Sequence, residues 1–295
     1  LGALRRGERH GGQDLNRLWT DPILAELLER DPAEDRPDEA EQRELLRIIE
    51  GERERAKAAG REVLLLDLHS TSAAGGPFSV VPDVIASRRL ARAIGLPVVL
   101  GLEQRIEGPL LTWIVGQGEV GVVLEGGQHE DPQTEEVLSH ALRVALDHAG
   151  VTHMDRAAAR RSRACIDTIR GGVPPVLDMV YAHPVEPEDG FVMEPGWTNF
   201  KRVCAEQALG LQRGEVVQAP IDSYMLMPLY QGLGTEGFFL CTPVGRLWLV
   251  ASRVVRRLRL DRALRLFRGV RAVRPAGAGV VCSPETPRGT ESWLA

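Results

Sequence analysis

The chain has 295 residues, 43% of them hydrophobic, and a formal net charge of −5. That length and apolar content suit a soluble protein built as one large domain or two modest ones. The acidic balance excludes non-specific nucleic-acid binding by the chain as a whole, and no apolar run approaches the roughly 20 residues needed to cross a bilayer, so neither nucleic acid nor a membrane is an expected partner.

At the amino end, Arg9 precedes the run Asp14-Leu15-Asn16-Arg17. Two readings stand side by side. Asp14 could cap a helix over residues 15–28, leaving Asn16 and Arg17 solvated. Alternatively, Asn16 and Arg17 form a clamp in which the planar guanidinium fork and a neighbouring carboxamide donor grip one substrate carboxylate. Residues 38–59 carry charges of both signs at helical spacing behind Pro37, which predicts a solvated helix presenting Leu45, Ile48 and Ile49 to a core.

A continuous apolar run, Val63-Leu64-Leu65-Leu66, predicts a strand buried on both faces of a parallel sheet, ending in Asp67-Leu68-His69-Ser70-Thr71. Polar residues there stand at the carboxyl end of a strand, where open α/β sheets place ligands. His69, with Asp67 two residues back, fits a metal ligand whose second ring nitrogen is fixed by a carboxylate. Residues 82–94 read as a helix and 98–100 as a strand. A second buried strand, residues 120–124, delivers Glu125 ahead of Gly126-Gly127. Glu125 is either an exposed carboxylate at a glycine turn or a poorly solvated one whose raised pKa suits a general base. Residues 134–149 follow as an amphipathic helix, and the alternation implies an α/β sheet with helices on both faces.

After about residue 160 the prolines and glycines multiply and separate short β-type stretches at residues 176–182, 190–193, 216–219, 222–230 and 237–240. These predict a small antiparallel barrel or sandwich. Residues 246–274 hold ten arginines against one aspartate and read as an Arg-rich amphipathic helix, which either covers a core with a solvated face or offers a basic surface. The tail, residues 275–295, reads as disordered. The four cysteines, Cys165, Cys204, Cys241 and Cys282, are scattered without a Cys-x-x-Cys pair and point to reduced thiols in a cytoplasmic protein.

The ordered set GALRRGERHGGQDLNRLW, LLLDLHST and VVLEGGQ, with DSYMLMPLY further on, resembles the succinylglutamate desuccinylase and aspartoacylase family of zinc-carboxypeptidase-like hydrolases over most of residues 1–245. The resemblance implies an α/β fold with a mixed sheet flanked by helices over residues 1–160 and a smaller β-rich barrel or sandwich over 161–245. It also implies a zinc-dependent amidohydrolase that removes an acyl group from a small N-acyl amino acid or related amine. By that resemblance His69 is a Zn2+ ligand and Glu125 the base that takes a proton from metal-activated water and returns it to the leaving amine. Arg9 stabilises the oxyanion, Asn16 and Arg17 hold the substrate carboxylate, and Asp14 orients their loop.

Two departures accompany the match. The family's other zinc ligands come from a His-x-x-Glu motif ahead of the Arg, and the chain opens on Leu1 without it. The expectation is of a member truncated at its amino end, with the remaining ligands upstream of Leu1. The His183-Pro184-Val185-Glu186 run lies in the wrong order and is expected to be coincidental. Secondly, Val115 stands nearest to the family's additional substrate-binding Arg, which puts dicarboxylate selectivity in doubt. A metallo-carboxypeptidase or amidase acting on peptides, and a non-catalytic binding fragment, are the alternatives.

Overall fold

The computed structural model describes residues 12–82, 84–230, 236–245, 270–273 and 281–284. Its centre is an eight-stranded mixed sheet in the order β1-β4-β2-β3-β5-β11-β10-β7. The strands are β1 (Leu64–Thr71), β2 (Phe78–Val80), β3 (Val98–Leu100), β4 (Val120–Gln128), β5 (Val176–Pro184), β7 (Arg202–Val203), β10 (Ser223–Leu226) and β11 (Glu236–Pro243). The two strands that carry the candidate site, β1 and β4, run parallel to each other, and β2 runs antiparallel to β4. Strands β6 (Val192–Met193), β8 (Ala208–Gln212) and β9 (Glu215–Gln218) make a separate three-stranded antiparallel sheet.

Among the described residues six α-helices accompany the sheet: α1 (Asp21–Glu29), α2 (Pro37–Ala58), α3 (Ile85–Ile94), α4 (Leu110–Gly116), α5 (Pro132–His148) and α6 (Arg156–Arg170). They form two layers, and the period-2 alternation of β4 shows why. Val123 points into a core with Leu24 of α1, Leu46 of α2 and Ile114 of α4, whereas Val120, Val122 and Leu124 join Leu90 of α3, Val137 and Ala141 of α5 and Ile166 of α6. A strand buried on both faces must be apolar throughout, and β4 is. A third core, around Trp197, Leu209, Met225 and Phe238, seals the small sheet against β10 and β11.

Local chemistry sets most boundaries. Residues 15–28 do not form one helix. Asp14 caps a single 3-10 turn, Leu15–Arg17, and α1 starts afresh at Asp21 with Pro22 in its first turn. In α2 the buried stripe is Gln42 and Leu46 with Leu45 and Ile49 packed beside them, and Ile48 points outward at 43% exposure. Helix α3 begins three residues later than residue 82 and ends on Gly95, whose φ of 98° makes the left-handed C-cap. Asp131 and Asp155 cap α5 and α6 through backbone donors at Gln133, Ala157 and Ala158.

Five elements, β2, β7, β8, α4 and α6, have no counterpart in the sequence-based reading. The division near residue 160 falls inside α6, and sheet hydrogen bonding runs on across it, because β5 pairs in parallel with β3 and antiparallel with β11. The β-rich part therefore splits: β5, β7, β10 and β11 belong to the main sheet, and only β6, β8 and β9 stand apart. Residues 270–273 and 281–284 are β12 (Val270–Val273) and β13 (Val281–Pro284), an antiparallel pair. That corrects the carboxyl end of the expected Arg-rich helix and part of the expected disordered tail: backbone groups at 270–273 bond across to 281–284 rather than along a helix. The body of that helix, residues 246–269, lies outside the described residues. No helix among the described residues is long and apolar enough to cross a membrane, and Cys165, Cys204 and Cys241 are free thiols.

Candidate active site

His69 and Glu125 are Cα partners on β1 and β4. Equal positions on paired parallel strands point to the same face, so the sheet itself brings the imidazole and the carboxylate together. That face is the one shared with α1, α2 and α4, since Leu65 and Val123, four positions before His69 and two before Glu125 on the same alternation, pack into their core. Asp67, also on that alternation, lies with Oδ1 2.8 Å from His69 Nε2. Asp67 thereby fixes the ring and leaves Nδ1 as the nitrogen turned to a ligand, the carboxylate–histidine pairing that metal-binding imidazoles favour. The Asp67 hydrogen bond raises the His69 pKa against the opposing pull of burial, with the charges of Glu125 and Asp14 adding to the rise.

The amino-terminal loop that carries Asp14 is tied to the start of α4, the helix whose Ile114 packs with Val123 of β4. Asp14 Oδ1 accepts from the Asn16 amide at 3.0 Å, and its other oxygen is 3.9 Å from Arg17 Nη1. Asn16 Oδ1 accepts from the Leu110 amide at the start of α4 at 2.9 Å, which leaves the Asn16 carboxamide nitrogen as the donor end. Arg17 Nη1 donates to the Asn16 carbonyl at 2.9 Å, and its side chain remains 43% exposed. Asp14 thus caps a single 3-10 turn that carries Asn16 and Arg17, rather than a helix over residues 15–28. Arg9 lies outside the described residues.

A glycine makes this loop possible. Gly108 has φ +73°, and a Cβ there would collide with the Arg17 carbonyl, while its own carbonyl accepts from the Trp19 amide at 3.0 Å. Gly108→Ala is expected to cost about 2 kcal/mol, since it adds a left-handed alanine to a backbone clash. Urea denaturation checks this, and an unchanged midpoint would show that the 14–19 loop does not rest on Gly108.

Gly126 and Gly127 seat the far end of β4 on α5. A Cβ at Gly126 would press on Leu138, and Gly127, with φ +138°, would meet Thr134 Oγ1. The turn therefore docks the strand end against a helix rather than exposing Glu125. On the opposite face of β1, a cavity of about 570 Å³ opens between Leu68, Ser70 and His129 and the α5 residues Thr134 and Leu138. Ser70 Oγ and His129 Nδ1 are 2.8 Å apart at its mouth. Sequence reasoning passed over this pair because His129 follows the motif rather than standing in it.

Other sequence features resolve as structure. His183 is 7% exposed, its Nε2 2.8 Å from Gln212 Oε1 and its Nδ1 3.2 Å from the Tyr181 hydroxyl, and it stacks on Phe238 at 4.9 Å. With both ring nitrogens engaged, the His183-to-Glu186 run is packing, as expected. Val115 is a buried core residue of α4.

A mixed α/β/α sandwich with polar residues at the ends of two parallel strands, and a small antiparallel sheet appended, defines the class of fold. The solved structures that share it include succinylglutamate desuccinylase/aspartoacylase from Rhodobacter sphaeroides, with 15% identity and a TM-score of 0.56 over 81% of this chain and 70% of that one. Succinylglutamate desuccinylase from Vibrio cholerae matches at 18% identity and a TM-score of 0.53, covering 83% and 68%. The product-bound ectoine utilization protein EutE (DoeB) from Ruegeria pomeroyi matches at 18% and 0.53, covering 82% and 71%. No protein-family profile and no curated protein matches the sequence.

Proposed function

We propose that this chain belongs to the succinylglutamate desuccinylase and aspartoacylase family and is a zinc-dependent amidohydrolase that removes an acyl group from a small N-acyl amino acid or related amine. The observation that carries the proposal is the pairing of His69 and Glu125 on adjacent strands, with Asp67 on His69 Nε2 and the Asn16–Arg17 loop anchored on Leu110 at the start of α4. An imidazole oriented by a carboxylate fits zinc through Nδ1, and His69 is the ligand assigned to it among the described residues. Three protein ligands are the norm for a catalytic zinc, so the remaining donors come from outside the described residues. Zinc held there supplies a Lewis acid that lowers the pKa of water to about 7.

The chain's own groups perform the remaining steps. Glu125 takes the proton of the attacking water and returns it to the amine nitrogen as the C–N bond breaks. Arg9 supplies the charge-assisted donor that stabilises the oxyanion. The Asn16 carboxamide nitrogen and the Arg17 guanidinium hold the substrate carboxylate. With Val115 in the core, that clamp reads one carboxylate, and the reading extends to mono-carboxylate amino acids rather than to dicarboxylates specifically. We place the protein in the cytoplasm on its reduced thiols.

The test is amine release from a panel of N-acetyl and N-succinyl amino acids, with and without zinc, beside carboxyl-terminal peptide substrates. The expected result is zinc-dependent release from acyl amino acids that a chelator abolishes and added zinc restores. Release from peptides alone would establish the carboxypeptidase reading. Zinc uptake without any hydrolysis would leave a binding protein. Arg17→Lys is expected to raise KM by about tenfold with little change in kcat, because a bidentate fork becomes a point donor. An unchanged KM removes Arg17 from the clamp.

A further inference from the structure

We propose that Glu136, His140 and Cys165 form a second metal site, separate from the proposed catalytic one, that binds a borderline divalent cation such as zinc or cobalt and clamps α5 to α6. Their ligand atoms all lie within 4.8 Å of one another, and His140 Nε2 is already 3.8 Å from Glu136 Oε1. Glu136 and His140 are one helical turn apart on α5 and so share a face. Cys165 meets them from α6.

The surroundings are organised for a ligand rather than for a simple ion pair. His140 Nδ1 is 3.0 Å from Ser162 Oγ, and Ser162 is 2% exposed. That buried contact fixes the imidazole and turns Nε2 toward Glu136 and Cys165, which is the role outer partners play for metal-bound histidines. Ser162 and Cys165 stand three apart on α6, so the helix that supplies the thiol also supplies the orienting hydroxyl. Imidazole, thiolate and carboxylate together select zinc-like ions over magnesium or calcium, which prefer all-oxygen sites. Three side-chain ligands leave a fourth position for water. Because Glu136 is exposed, the ion enters from solvent without disturbing the core.

Cobalt(II) titration of the metal-free full chain provides the test, because a thiolate–cobalt charge-transfer band in the near ultraviolet cannot arise from His69 and its carboxylate neighbours. The expected result is such a band with four-coordinate visible absorption, lost in Cys165→Ser and kept in Cys204→Ser and in His69→Ala. Glu136→Gln, at an exposed position that leaves folding intact, is expected to weaken cobalt binding by about tenfold or more, and Ser162→Ala by about tenfold. Zinc should raise the melting temperature of His69→Ala but not of the double variant His69→Ala, Cys165→Ser. No band at saturating cobalt, or a band that survives Cys165→Ser, overturns the proposal. The catalytic reading stands or falls on His69 and Glu125 and is untouched by either outcome.

Discussion

Glu125→Gln is expected to lower kcat on a cleaved N-acyl amino acid by roughly a thousandfold while leaving KM within about threefold. The amide has the size of the carboxyl group but cannot take a proton from water, so the loss falls on the chemical step. Packing argues that the fold survives the change. Glu125 lies opposite Phe78 on β2 and His69 on β1, and the seating of β4 on α5 depends on Gly126 and Gly127, which the substitution leaves in place. Steady-state kinetics with an unaltered circular dichroism spectrum checks it. A variant that keeps its kcat would remove Glu125 as the base and, with it, the central step of the proposed mechanism.

Glu103→Gln is expected to stabilise the protein by up to about 3 kcal/mol at about pH 8 and by almost nothing at about pH 4. Glu103 sits on the 3-10 turn after β3, is 8% exposed, and its Oε2 is buried without a hydrogen-bond partner. Burial, with the Asp178 charge adding to it, pushes its carboxyl up to about 7, against hydrogen bonds from its own amide, Gln104 and Gly101. The unfolded chain releases this proton near 4.5. Between those values the folded state binds more protons than the unfolded one, so stability falls as pH rises from 4.5 to about 7 and the loss is complete above it. Glutamine removes the titration. Urea unfolding at the two pH values measures the difference, and an equal effect at both would place the charge of Glu103 in water.

The candidate site was legible where its residues lie close together in sequence or end an apolar strand. Asp67 and His69 share one strand, and Glu125 follows a run whose continuous hydrophobicity announces a doubly buried strand. The pairing of those two strands was not legible, because β1 and β4 are joined only through register across more than fifty residues. Helix α4 escaped notice because its seven residues, Leu110–Gly116, are nearly all apolar and therefore show no amphipathic period. Helix α6 escaped for the opposite reason: its arginines face solvent, and only Ser162 and Ile166 are buried. The β-rich part read as a separate barrel because local alternation marks a strand without naming its partner, and four of its strands join the main sheet instead.

The sequence by itself determined the strand-end placement of His69 and Glu125, the capping role of Asp14 and a sheet with helices on both faces, because hydrophobic period and capping chemistry act over a few residues. Tertiary structure alone decided that Asp67 turns toward His69 Nε2, that Asn16 anchors on Leu110, that Gly108 admits the Arg17 backbone, and that Cys165 faces His140. Each of those contacts joins side chains or elements whose meeting depends on how strands register and helices pack, and packing is settled only when every neighbour is in place.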